Sequence, residues 1–142
     1  MAFLKDEDYL DQVKDEVLQA ILDGTSTIRT SLERKAEAEM VGYLAVRYDA
    51  AAIFAASGTA RNAMIVMCYV DIVLYHAHSR INPGQVPQLR IDRYNEAKSW
   101  LEMVASGKLL PTLPLAGDQD GDGTDDKEVM RFGSETPRNP YY

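Results

Sequence analysis

Apolar residues recur from Tyr9 to Val104 at spacings of three and four, which is the period of an amphipathic α-helix. The pattern falls into four segments and no segment alternates like a strand, so we expect four helices and no sheet. The predicted fold class is all-α: a small bundle of about four helices with a long irregular C-terminal tail. The predicted helices span about Asp6 to Leu22, Ser26 to Tyr48, Thr59 to Arg80, and Pro87 to Ser106.

Residues that begin or end helices lie between these segments. Gly24 is a suitable end for the first helix, and Ser26 is a suitable cap for the second. Pro87 suits the first turn of the fourth helix, and Gly107 suits its end. Residues 49–62 are interpreted as a connector that holds one short helical turn.

The third predicted helix is apolar almost all round between Ala63 and Tyr75, with Asp71 as the interruption. This pattern is typical of a central helix that is covered on several sides. The run is shorter than the roughly 20 residues that a membrane span needs, so no membrane association is expected. Cys68, the single cysteine, lies in the same run and is expected to act as a small buried hydrophobe.

Asp71 is the polar residue in this run that most needs an explanation. A buried carboxylate must find a partner or stay protonated. Arg47, at the inner edge of the second helix, is the predicted partner, and the hydroxyls of Tyr43 and Tyr48 are the alternatives. We interpret Asp71 as a structural strut of the core and not as a catalytic acid.

The formal net charge of −7 is unevenly distributed. Five aspartates lie between positions 118 and 126, and the rest of the chain has a net charge of only −2. No cluster of Lys and Arg of the kind that binds phosphates is present in the sequence. The composition therefore argues against specific DNA binding, although it is compatible with DNA passing by without adhering.

The acidic segment contains the one motif that suggests a metal. Asp118, Asp120 and Asp122 alternate before a glycine, like the first half of a calcium loop. The twelfth position of such a loop needs a bidentate Glu but is Val129 here, so the three aspartates are weak metal candidates at most. We expect a solvated acidic loop.

Catalytic and cofactor-binding constellations are not expected. His76 and His78 are two residues apart, which places them about 200° apart on a helix, too far to hold one metal. No serine or cysteine is placed as a nucleophile beside them. We therefore predict no enzyme activity, no catalytic residues and no cofactor.

Several short motifs follow one another in order along the chain. They are Tyr43-Leu44-Ala45-Val46-Arg47-Tyr48, Val70-Asp71-Ile72-Val73-Leu74-Tyr75-His76, Arg93-Tyr94-Asn95-Glu96-Ala97 and Phe132-Gly133-Ser134. These motifs resemble a protein family of Mu-like phages and of prophages in gut Bacteroides-type bacteria. The resemblance covers most of residues 1–115, and the C-terminal ending is also similar.

The helical layout of that family is similar to the adaptor proteins that form a ring beneath the portal of long-tailed phages. The resemblance implies a structural subunit of the phage neck, with residues 1–115 as a helical connector domain. Its implied partners are other copies in a homo-oligomeric, twelvefold ring, the portal protein and the tail-side neck proteins. Genomic DNA would pass through the lumen, and the protein would be found in the virion neck and, during assembly, in the host cytoplasm.

Residues 116–142 form an acidic tail that is interrupted by Pro and Gly. Such a tail can be donated to a neighbouring subunit, with Phe132, Tyr141 and Tyr142 as anchors. Two other functions are compatible with the sequence. One is another virion completion protein on the same fold, and the other is a cytoplasmic helical protein-binding module with a weak calcium loop.

Overall fold

A computed structural model describes residues 3–22, 26–81 and 84–116. Within these ranges the chain forms six α-helices and a short 3-10 segment, with no strand, so the all-α prediction is confirmed. The helices are α1 (Asp6–Leu10), α2 (Asp15–Leu22), α3 (Ser26–Leu44), α4 (Ala50–Ala55), α5 (Ala63–Ile81) and α6 (Gln88–Ser106), and the 3-10 segment is Gly58–Ala60.

The core is built around α5, which packs against α6, α3, α1 and α2. Its run of apolar residues is covered on several sides, as the sequence pattern predicts, while Met67 is 39% exposed. Each large apolar side chain that is buried in this way contributes about 1.5–3 kcal/mol relative to full exposure. The buried side chains of α5 are Ile65, Cys68, Tyr69, Val70, Asp71, Ile72, Val73, Leu74 and Ala77.

The first predicted helix is in fact two helices, and the prediction of one helix from Asp6 to Leu22 is wrong. The chain turns after α1, and the turn brings the Gln12 side chain to Asp71, with which it hydrogen-bonds. The turn also rotates the following helix. Leu18 is buried in the core, whereas Val17 is 43% exposed.

The second predicted helix is shorter than expected, because α3 ends at Leu44 and does not reach Tyr48. Tyr48 instead forms an isolated antiparallel bridge with Leu115. The Asp49 N–H donates to the Pro114 carbonyl at 2.8 Å, and the Ala116 N–H donates to the Arg47 carbonyl at 3.1 Å. A pairing with the distant end of the body therefore replaces the last turn of the helix.

The connector contains α4 and the 3-10 segment. A side-chain cap precedes α4, and another precedes α5, which follows the connector. The Asp49 side chain accepts from the Ala52 N–H at 3.1 Å, which caps α4. The Asn62 side chain accepts from the N–H groups of Met64 and Ile65, so α5 begins at Ala63 and not at the predicted Thr59.

The predicted end of α6 at Gly107 is confirmed. Gly107 has φ 84°, a left-handed conformation that a residue with a side chain rarely adopts. A Cβ at this position would lie 2.6 Å from the Arg47 guanidinium, which is the flexible end of an exposed side chain and can move aside, so the left-handed backbone is what favours glycine here.

Arg61 joins the N-terminal segment to the beginning of α5. Its guanidinium donates to both carboxylate oxygens of Asp8, at 2.7 and 3.2 Å, and to the carbonyls of Phe3 and Gly58. Burial opposes ionisation of Asp8, but the Arg61 contacts and the Lys5 backbone N–H outweigh it and lower the pKa of the carboxyl. Phe3 is held in turn against Tyr69, with ring centroids 5.7 Å apart.

We expect Asp8→Asn to lower the free energy of unfolding by about 1.5–3 kcal/mol near neutral pH, the range for hydrogen bonds to charged groups. Because folding lowers the Asp8 pKa, this stabilisation is present above the ordinary value of about 3.9 and is lost as the pH falls through the folded value. Urea unfolding at several pH values measures it. A constant difference down to strongly acidic pH would contradict the assignment, and the exposed Glu102→Gln is the control.

Candidate interaction surfaces of the helical body

Asp71 is buried, at 4% exposure, but its predicted partner is wrong. Its carboxylate accepts from the Arg93 Nε at 2.9 Å, and the Arg90 Nη1 lies 3.9 Å away. Both arginines come from α6, which faces α5 along its length, whereas Arg47 lies beyond the end of α3 and packs on Gly107. The Asp71 side chain therefore joins α5 to α6 and, through Gln12, to the turn after α1.

Burial determines the electrostatics of this cluster. It raises the pKa of Asp71, and the contacts with Arg93, Arg90 and Gln12 offset this only in part. Burial and the nearby Arg93 lower the pKa of Arg90, whose Nη1 is enclosed without a hydrogen-bond partner. Burial and then the Asp71 charge raise the pKa of Cys68 to about 12, so its thiol stays neutral. The geometry is that of a structural strut.

The two tyrosines that were alternative partners of Asp71 have other positions. Tyr48 is buried, at 4% exposure, beside the segment that carries Leu115. Tyr43 is half-buried and packs against the core. The hydrogen-bond partners of Asp71 are Arg93 and Gln12.

The two histidines have separate surroundings. His76 pairs through Nε2 with the Glu39 carboxylate at 3.1 Å, and the same carboxylate accepts from the Tyr94 hydroxyl at 2.8 Å. Burial, and then the charge of Arg90, lower the pKa of His78. Within residues 3–22, 26–81 and 84–116, no group of three or more His, Cys, Asp or Glu side chains could hold a metal ion.

A cleft of about 430 Å³ opens between α1, α5 and α6. The Asp8–Arg61 pair and Arg93 provide its charged edge. Its apolar side is formed by α5, where Met67 is 39% exposed. The lining residues are Asp8, Asp11, Gln12, Gly58, Arg61, Ala63, Val66, Met67, Val70 and Arg93.

A second depression, which we call the end groove, lies where α6 ends beside the beginning of α5. Its volume is about 260 Å³. Leu110, which forms one wall, is 72% exposed and is one of the most exposed large apolar side chains of the described body. The lining residues are Asn62, Met64, Trp100, Leu109, Leu110 and Pro111.

The sequence of this body matches the family model described as Bacteriophage Mu, Gp36, over residues 3–131. The match covers most of the chain, including every described helix. The chain belongs to the Bacteriophage Mu Gp36 family. No curated protein and no solved structure matches it.

Membership of the Gp36 family confirms the resemblance to a Mu-like phage protein. It indicates a phage structural or assembly role, in association with the virion or the host cytoplasm. Among the helices that the structure describes, none is long and apolar enough to cross a membrane.

The other candidate residues of this Gp36-family chain lie outside the described residues. The metal candidates are Asp118, Asp120 and Asp122, and the interaction candidates are Phe132, Tyr141 and Tyr142. The sequence analysis did not identify Arg90 or Arg93 as partners of Asp71. Their spacing of three residues on one helical face was the available signal.

Proposed function

We propose that this Gp36-family protein is a structural subunit of the phage neck. It forms a ring adaptor between the portal and the tail during virion assembly, and it is not an enzyme. The observation that carries the proposal is the match to a phage family over residues 3–131. The ring and its expected twelvefold symmetry are proposed from the resemblance to portal-associated adaptors.

The surface of the helical body supports contacts between subunits. A closed ring of identical subunits uses two different surfaces, one from each side of a subunit. The cleft beside α1 and the end groove have no lining residue in common, and each combines apolar walls with polar edges. Interfaces have this composition, with an apolar centre and a polar rim.

The distribution of charge supports a lumen through which DNA moves. The chain has 22 acidic residues and 15 basic residues, and seven of the acidic ones lie in residues 117–142. Acidic groups that face the channel repel DNA phosphates and so prevent the genome from adhering. In the proposed ring, the portal contacts one side and the tail-side neck proteins contact the other.

Electron microscopy of the purified full-length protein mixed with its portal tests the proposal. We expect particles in which a ring of this protein extends the portal along its axis, with the rotational symmetry of the portal. The protein without portal and the portal without protein are the two controls. A portal that stays bare at a large excess of the protein would contradict the adaptor assignment.

A further inference from the structure

The end groove is too small for a cofactor and suits a few side chains of a protein segment. Its volume of about 260 Å³ is below the roughly 300–1,000 Å³ of small-molecule sites. Five of its six lining residues are apolar, and one of them is Trp100 on α6. Aromatic and Met-lined depressions of this kind accept apolar anchor residues at protein interfaces.

Two exposed basic residues lie beside this groove. Lys108 directly precedes the groove residues Leu109 and Leu110, and the Arg47 guanidinium packs on Gly107. A segment that combines an apolar anchor with negative charge is therefore complementary to this end of the body.

Residues 117–142 have this combination. They include seven acidic and three basic residues, and their first cluster of large apolar side chains is Val129, Met130 and Phe132. Phe132 is 16 positions beyond Ala116, and a coil of that length has a root-mean-square span of about 20–24 Å. This span is enough to cross to an adjacent subunit of a small protein.

The chain passes from the end groove to the end of α3 before the tail begins. Residues 109–111 line the groove, but the next residues cross to the end of α3, where Pro114 and Ala116 pair with Asp49 and Arg47. Ala116 is therefore held at the end of α3, beside Arg47. In the proposed ring, the residues that follow reach the end groove of the adjacent subunit.

We propose that the end groove binds the Val129–Phe132 segment of a neighbouring copy, with Phe132 against Trp100. This inference rests on the proposed ring and specifies one of its subunit contacts. The acidic residues that precede the segment, Asp118 to Glu128, pass Arg47 and Lys108 of the receiving subunit. Each subunit donates one tail and receives one, so the contact is heterologous and is repeated around the ring.

Trp100 is the only tryptophan, so its fluorescence reports on this groove alone. We expect the emission of the full-length protein to shift to shorter wavelength as the concentration rises. Acrylamide quenching should fall over the same range in which sedimentation shows assembly. Phe132→Asp should abolish the shift and raise the concentration of half-assembly at least tenfold, which corresponds to about 1.4 kcal/mol.

Two matched variants complete this experiment. Leu110→Asp changes the groove at an exposed side chain and should reproduce the effect of Phe132→Asp. Thr136→Asp introduces the same charge in the tail outside the apolar segment and should behave as wild type.

The outcomes separate this inference from the ring itself. Assembly without a change in the Trp100 emission, or assembly that Phe132→Asp leaves intact, would overturn the groove assignment. Neither result would contradict the proposed ring. A Trp100 that is protected in the dilute monomer and released by Phe132→Asp would assign the groove to the subunit's own tail and overturn the exchange. A protein that shows neither assembly nor a shift at any concentration, both alone and mixed with its portal, would contradict both proposals.

Discussion

A phage or prophage that lacks this gene should produce DNA-filled or leaking heads and separate, normal tails, with essentially no infectious particles. The physical reason is that, in the proposed neck, a portal without this subunit has no surface on which the tail can dock. Titration of the lysate and electron microscopy of its particles measure the two parts of this result. A plasmid copy of the gene should restore the titre.

Biochemical complementation distinguishes an adaptor from a protein that acts earlier in assembly. Purified full-length protein added to the mutant lysate should join the existing heads to the existing tails and restore infectivity. A protein needed to build the head or the tail would not rescue finished particles in this way. Normal infectious particles from the deletion would remove the neck assignment altogether.

Much of the fold was predictable because most of its helices are decided by local sequence. The apolar run of α5 predicts a central helix, and the structure places it there. Gly107 ends α6 as predicted, because its left-handed conformation is a local property. The errors occur where a distant contact determines the local structure. Tyr48 leaves the helical path to pair with Leu115, 67 positions away along the chain, and no helical periodicity reports such a pairing.

For Asp71 too, local sequence predicts one property and distant contacts determine another. The sequence predicts that Asp71 is buried, because it interrupts an apolar run, and the structure confirms this. The choice of partner depends on which helix faces α5 at that level, which is a property of packing. The sequence contained a second indication of the partner. Arg90 and Arg93 lie on one face of α6, and the other residues on that face are apolar. A buried arginine requires an acid as much as a buried aspartate requires a base.

Asp71→Ala should lower the free energy of unfolding by about 3–5 kcal/mol, the usual cost of removing one partner of a buried ion pair. The variant leaves two arginine side chains, 7% and 31% exposed, facing the site of the lost carboxylate. Urea denaturation measures the change as a lower midpoint. The exposed Asp92→Ala on α6 is the matched control and should stay within about 0.5 kcal/mol of wild type.

The combined variant Asp71→Leu, Arg90→Met and Arg93→Met tests the cause of this loss. It removes the whole charged cluster and leaves no guanidinium behind. Replacing a buried ionic group by apolar residues of similar volume is often neutral or stabilising by about 1–4 kcal/mol, so most of the lost stability should return. An Asp71→Ala protein that unfolds at the wild-type midpoint would show that the carboxylate is not a strut. A triple variant as unstable as Asp71→Ala would show that shape, and not charge, is what Asp71 contributes between α5 and α6.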